Sequence, residues 1–244
     1  MSEMLAFPTR RSEEWRYADL DALARVWPLP ERESVAVPAG GSFARAIVQE
    51  AGGVTQLSLS LGKGAKAAVY VLNSGGEYGR IELDVTLHEG ADFTLGGAQL
   101  GTASQTLEVV TTVTHAEPNA VSRQLVRSVL GGQSAGTYLG KVAVSRGANG
   151  TDAVQSVRAM LLDRTASANA KPELEIFADD VKCAHGCAVG ELDVQGLFYL
   201  QSRGLTPPQA KRLMLQAFLA EAFVGAADEE RLSTLALAKL EAML

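Results

Sequence analysis

Cysteine is scarce: Cys183 and Cys187 are the only two in 244 residues. If their segment is extended at ~3.3 Å per residue, the two Cα atoms stand roughly 13 Å apart, beyond the ~7 Å that a disulfide tolerates. In a reducing compartment such a pair reads as a thiol or metal site rather than a bridge. Long apolar runs are missing as well. None reaches the ~20 residues that span a bilayer, and Met1 to Arg11 holds no apolar core of signal-peptide length, so a cytoplasmic protein with no membrane partner is expected. Basic clusters are equally rare. The longest is Arg10-Arg11 and the formal net charge is −6, which argues against the phosphate-binding footprint of a nucleic-acid partner. No G-x-x-x-x-G-K-[ST] phosphate loop occurs, so nucleotide hydrolysis has no seat here.

What the chain does have is apolar residues in step and glycine between them. Hydrophobic residues make up 47% and charged residues 20%, enough to build a core without disulfides, and the 24 glycines point to many turns. Leu57, Leu59 and Leu61 alternate with polar residues, as do Ile81, Leu83, Val85 and Leu87, while Leu107, Val109 and Val113 keep one parity. Alternation of this kind is the mark of strands with one buried face. Between them Gly64-Ala65, Gly90-Ala91, Asn119-Ala120 and Gly147-Ala148 each place Gly or Asn, where a left-handed backbone is cheap, before Ala. These alanines step by 26, 29 and 28 residues, which is room for two strands and two turns per repeat. The expected fold is mainly β: a right-handed parallel β-helix core, with an antiparallel sandwich as the competing arrangement.

Helical signals flank this core. A short N-terminal helix is expected over residues 9 to 27, with Ser12 as its N-cap and Pro28 ending it. After Gly190, Asp193 caps a segment that stops at Gly204, Thr206-Pro207-Pro208-Gln209 has the form of a capping box, and Asp228 opens a last helix. These boundaries divide the chain into an N-terminal helical or extended segment (1–40), a β-helix core (41–190) and a C-terminal α-helical subdomain (191–244). The helices are expected to pack on one another and to cap the open end of the solenoid.

Chemistry concentrates at Lys182-Cys183-Ala184-His185-Gly186-Cys187. On a strand, Cys183, His185 and Cys187 share one face and present two thiols and an imidazole, the donors that iron and iron–sulfur clusters accept. A cluster normally takes four ligands, and the chain has no further cysteine, so a partner must complete the site. Plain burial as small hydrophobes is the alternative for the cysteines. A mononuclear zinc or iron protein, or a β-helix enzyme, would use the same trio. His88 and His115 read as hydrogen-bonded structural histidines, and Asp179 and Asp180 as a turn rather than an acid–base pair.

The stretch Lys171-Pro172-Glu173-Leu174-Glu175-Ile176-Phe177-Ala178-Asp179-Asp180-Val181-Lys182-Cys183-Ala184-His185-Gly186 resembles the signature K-P-x-L-E-I-x-A-D-D-V-K-C-x-H-G of the SufD family, subunits of the SUF iron–sulfur cluster assembly system. Leu197-Phe198-Tyr199-Leu200-Gln201-Ser202-Arg203-Gly204-Leu205, Glu14-Trp15-Arg16-Tyr17-Ala18-Asp19-Leu20 and Ser122-Arg123-Gln124-Leu125 resemble further family motifs, in the expected order. The resemblance implies a right-handed parallel β-helix followed by helices. It also implies a non-catalytic scaffold that pairs with a SufB-like paralogue, binds a SufC-like ABC-type ATPase through the C-terminal helices, and holds an iron–sulfur cluster only transiently, shared with its partner. His185 matches the family histidine at the interface with SufB. Cys183 is expected to act with it, and Cys187 lies where the family does not require a cysteine. Alone, such a chain can form a homodimer through its unpaired edge. Many relatives carry a longer helical region ahead of the Trp15-Arg16-Tyr17 motif.

Overall fold

Four corners of the chain place a residue that tolerates a left-handed backbone ahead of an alanine. In the computed structural model, which describes residues 7–9, 11, 12 and 15–244, Gly64, Gly90, Asn119 and Gly147 have φ of 64°, 66°, 62° and 81°. The alanines that follow them are fully buried. Corners stack by backbone bonds: Gly64 N donates to Glu89 O at 2.8 Å, Gly90 N to Pro118 O at 2.9 Å and Asn119 N to Asn149 O at 2.9 Å. A Cβ larger than alanine's inside the corner would meet the next coil, so the Gly/Asn-Ala pair fixes both the bend and the stacking.

Between corners run two parallel six-stranded sheets. The odd sheet holds β1 (Glu33–Val37), β3 (Gly53–Leu61), β5 (Tyr78–Leu87), β7 (Thr106–His115), β9 (Ala135–Val144) and β11 (Ser167–Ile176) in that order. The even sheet holds β2 (Ser42–Gln49), β4 (Lys66–Asn73), β6 (Asp92–Gly101), β8 (Val121–Leu130), β10 (Thr151–Leu161) and β12 (Val181–Gly190). Every neighbouring pair is parallel and one coil apart in sequence, which defines a β-solenoid and excludes the antiparallel sandwich. Inward residues stack in register: Leu57 lies on Leu83, Leu59 on Val85 and Leu61 on Leu87, all buried. The alternation seen in the sequence is this stacked interior.

Among the described residues four α-helices accompany the solenoid: α1 (Leu20–Arg25), α2 (Val194–Ser202), α3 (Pro207–Ala220) and α4 (Glu229–Glu241), with a 3-10 turn at Glu221–Phe223. The N-terminal helix is shorter than the expected span of 9 to 27, of which residues 10, 13 and 14 lie outside the described residues. Asp19 caps it, its carboxylate accepting from the N–H groups of Asp21 at 3.1 Å and Ala22 at 3.0 Å, whereas the Ser12 carbonyl accepts a turn bond from Trp15 N. In the C-terminal part the signals and the structure coincide. Asp193 Oδ2 accepts from Gly196 N at 3.0 Å, Gln209 Oε1 accepts from Thr206 N at 2.9 Å, and Gly204 has a φ of 96°.

The C-terminal helices do not cap the solenoid's end. They lie along the outer face of the even sheet, where Leu215, Leu219, Phe223 and Leu232 pack with Tyr70, Leu72, Ala98 and Val129. Glycine makes this possible, because a Cβ on Gly96 would stand 2.1 Å from the Ala222 carbonyl oxygen and 2.6 Å from the Tyr70 ring. The apolar outer face of β4 to β8 needs cover, and the helices supply it. The N-terminal segment covers part of the odd sheet in the same way, through Trp15, Ala18 and Leu23 against Val54 and Tyr78. Beneath it Arg80 and Glu108 form a buried ion pair at 2.7 Å, with Tyr78 Oη donating to the same carboxylate at 3.0 Å and Arg80 stacked 3.9 Å from the Trp15 ring. Burial pushes the Glu108 carboxyl up and the Arg80 guanidinium opposes it. Among the described residues no helix is long and apolar enough to cross a membrane.

Candidate functional site

The strand that carries Cys183, His185 and Cys187 is the last of the even sheet. Among the described residues β12 is hydrogen-bonded to β10 alone, which leaves its other edge unpaired by them. In register, Cys183 follows Ala153, His185 follows Gln155 and Cys187 follows Val157, and all three of those β10 residues are buried inside the solenoid. The trio therefore continues the inward columns of the core. No further coil covers them, so the same parity that means interior at β10 means open rim at β12. His185 and Cys187 are exposed, and Cys183 is half-buried against Val142, Val144 and Ala148. Both cysteines are free thiols. Burial pushes the Cys183 thiol up, a bond from the Ala153 backbone pulls it down, and the Asp152 carboxylate adds to the rise. The sulfur at Cys183 is thus the less ready nucleophile until a cation lies beside it.

Residues two apart on a strand step by about 6.6 Å, so a shared face lines the three donors up without making them converge. Among the described residues no three His, Cys, Asp or Glu side chains come together closely enough to hold a metal ion. What the rim offers is a row of soft and borderline donors at inward parity, left open where the coils end, able to contribute one or two ligands to a metal centre whose other ligands come from elsewhere.

The remaining sequence candidates lie apart from this row. His88 sits at a corner, its Nδ1 3.1 Å from the Glu117 carboxylate. His115 is fully buried in β7, with Nε2 2.9 Å from Ser122 Oγ, and burial lowers its pKa to about 4. Asp179 and Asp180 form the bend between β11 and β12, and the Asp180 carbonyl accepts from Gly150 N at 2.7 Å.

Sequence reasoning missed a polar column beneath His185. Gln124, Gln155 and His185 are consecutive partners on β8, β10 and β12. Thr111 Oγ1 donates to Gln124 Oε1 at 2.9 Å, Gln155 Nε2 donates to Tyr138 Oη at 3.2 Å, and Tyr138 Oη donates to Gln124 Oε1 at 3.2 Å. Burial drives the Tyr138 hydroxyl up to about 12, so it stays a neutral donor. Gln124 Nε2 and Gln155 Oε1 have no partner among the described residues. Polar residues at inward parity, one coil apart, were the available signal.

A family model described as the SufBD core domain of SUF-system iron–sulfur cluster assembly matches residues 47–218. The chain belongs to the SufBD core family. Three curated relatives agree. A SufBD family protein of Synechocystis is 31% identical over 175 residues, covering 69% of this chain and 37% of that protein. The iron–sulfur cluster assembly protein SufD of Escherichia coli is 37% identical over 108 residues, covering 44% of this chain and 26% of that protein. A SufBD family protein of Mycobacterium leprae is 33% identical over 170 residues, covering 66% and 43%. The matched segments thus span less than half of these relatives. The SufBD core match encloses ten of the solenoid's strands from β3 onward, the rim row, α2 and most of α3, whereas the 3-10 turn and α4 lie beyond it.

Proposed function

We propose that this chain is a non-catalytic scaffold subunit for iron–sulfur cluster assembly in the cytosol, with the β12 rim as its contribution to a shared, transient cluster site. The observation that carries the reading is the placement of two thiols and one imidazole on the last strand of a SufBD-family solenoid, beside an unpaired edge, with His185 and Cys187 exposed, Cys183 half-buried and the three non-convergent. A resident electron-transfer centre needs a complete ligand set held permanently, whereas a scaffold must release its cargo. A partial row at a rim fits the second requirement. Cys183 and His185 are assigned as ligands to the cargo, and Cys187 as an auxiliary donor at the outer end of the row.

The unpaired backbones of β11 and β12 offer an edge to which a paralogous solenoid of the SufB type can add, bringing the missing ligands. The second docking surface is helical. Val194, Phe198 and Tyr199 of α2 are 76%, 72% and 56% exposed, an apolar patch out of keeping with a helix that has no partner. In this reading a SufC-like ATPase binds there, the division of labour follows the segments 1–40, 41–190 and 191–244, and nucleotide-driven movement of the helices changes the exposure of the rim. Without its paralogue the chain can pair with a second copy through the same edge.

Reconstitution of the chain with a SufB-like paralogue and a SufC-like ATPase tests this. Cluster formation, followed by visible absorbance and transfer to an apo-acceptor, is expected to fall at least tenfold with His185→Ala and with Cys183→Ala, while the complex still forms. Full assembly by both variants would remove the ligand assignment. Iron or zinc that co-purifies stoichiometrically with the isolated chain, and is lost with Cys187→Ala, would favour a mononuclear metal protein instead.

A further inference from the structure

Arg127 is 1% exposed, yet it sits on the outer face of β8, between the sheet and the helical layer. Its guanidinium is bonded in both directions. Toward the helices, Nε donates to Glu221 Oε2 at 2.8 Å, in the 3-10 turn that ends α3, and Cζ lies 5.8 Å from the centre of the Phe218 ring. Toward the solenoid, Nη1 donates to the carbonyls of Ser156 at 3.0 Å and Val126 at 3.0 Å, and Nη2 to Ser156 Oγ at 3.2 Å. Ser156 belongs to β10 and pairs in register with Gly186, the residue between His185 and Cys187. Because β10 is the only hydrogen-bonded strand neighbour of β12 among the described residues, whatever moves β10 moves the rim row.

Beside this link the helices and the sheet share an apolar cluster that includes Leu215, Leu219 and Val129. Apolar packing is non-directional and yields to sliding, whereas a planar fork with fixed donors transmits both distance and angle. Glu221 is the accessible half of the link, with its side chain 51% exposed, so a molecule bound on the helices can reach it.

We propose that Arg127 is a positioning residue that ties the helical layer to the β10–β12 strand pair, so that displacement of α3 and the 3-10 turn is delivered to the row Cys183, His185, Cys187. Its use rests on the scaffold reading above, in which a partner on the helices alters the rim. The tie itself is a property of this chain and is measured without cluster or partner.

The experiment is amide hydrogen exchange with site-resolved N-ethylmaleimide alkylation on the full chain, comparing wild type with Arg127→Met, Arg127→Lys and Glu221→Gln. Arg127→Met is expected to raise exchange in residues 151–162 and 181–190 and to speed Cys183 alkylation about threefold or more, with β2 to β6 exchanging as in wild type. Arg127→Lys restores part of the protection, and Glu221→Gln, which leaves the Ser156 bonds intact, loosens the rim less than Arg127→Met. A merely structural arginine gives a different pattern, in which every coil loosens together as global stability drops. That pattern, or loosening confined to residues 215–224 with the rim unchanged, overturns the proposal. Should Arg127→Met fail to fold, Arg127→Lys and Glu221→Gln decide the matter alone. Rim loosening in a chain that supports no cluster assembly keeps the tie and rejects the scaffold reading, while the reverse result rejects the tie only.

Discussion

The two ends of the solenoid present the same architecture and opposite chemistry. At the N-terminal end, β1 and β2 each have one strand neighbour, and the inward residues Phe43, Ile47 and Val35 still pack against the core. Arg45 lies across the opening, 2.6 Å from Glu33 on the other sheet and 5.3 Å from the Phe43 ring, so a charge pair closes over an apolar interior. Nearby, Trp15, Arg80, Tyr78 and Glu108 knit the N-terminal segment to the wall. At the C-terminal end the inward positions are Cys183, His185 and Cys187, two of them exposed. A parallel solenoid needs both ends protected from strand addition. One end is crossed by its own charge pair over packed apolar residues. The other leaves His185 and Cys187 uncovered in the gap.

The difference can be attacked first where it is largest. Arg80→Met strands the Glu108 carboxylate in a buried site, and the expected loss is about 3–5 kcal/mol in urea unfolding. A loss under about 1 kcal/mol would mean that stability is not concentrated where the N-terminal segment covers the wall.

Acid probes the middle coils next. His115 is held neutral, with a pKa of about 4 against 6.5 for the unfolded chain. The unfolded state therefore takes a proton that the folded state refuses. Stability is full above pH 6.5, falls as pH drops from 6.5 toward 4, and levels off below, by up to about 3 kcal/mol in all. His115→Gln should flatten that stretch of the pH–stability curve, and an unchanged slope would show that other groups supply it.

Gly96→Ala forces a methyl group against the Ala222 carbonyl oxygen and the Tyr70 ring. A cost of about 1–3 kcal/mol is expected, with faster amide exchange in α3 and α4 than in the strands. Loosening of the solenoid first would contradict the placement of the helices as a separate layer on its wall.

The smallest effect belongs to the open end. Cys187→Ala should change unfolding free energy by less than about 0.5 kcal/mol, because the side chain is exposed and packs on nothing that it supports. Cys187 is also expected to react with maleimide faster than Cys183, whose thiol is half-buried and pushed up. Equal rates would place both sulfurs in one environment and blur the contrast between sealed column and open rim.

Much of this was readable beforehand, for identifiable reasons. The Gly/Asn-Ala corners could be seen because left-handed turns demand particular residues, and the coil step followed from their spacing. The helix signals at Asp193, Thr206 and Gly204 were equally local. The expected N-terminal helix exceeds the observed one because two of its apolar residues, Trp15 and Ala18, pack against the sheet from positions ahead of α1. The position of the C-terminal helices was misplaced because periodicity gives a helix a buried face without naming what covers it. Gln124 and Gln155 escaped notice because a polar residue at inward parity gains meaning only once the coils are stacked, and Arg127 because a charged residue on a strand reads as surface until a helix lies over it.

By itself, the sequence determined the strand parity, the corners, the coil length and the donor row at residues 183 to 187, since each depends on neighbours within a few residues or on a repeat. Only the tertiary structure decided that the row lies on an unpaired rim, that the helices clothe the wall and leave the end open, and that Arg127 joins the two. Those facts rest on contacts between residues tens of positions apart, where burial depends on whether another coil or helix arrives to cover the face.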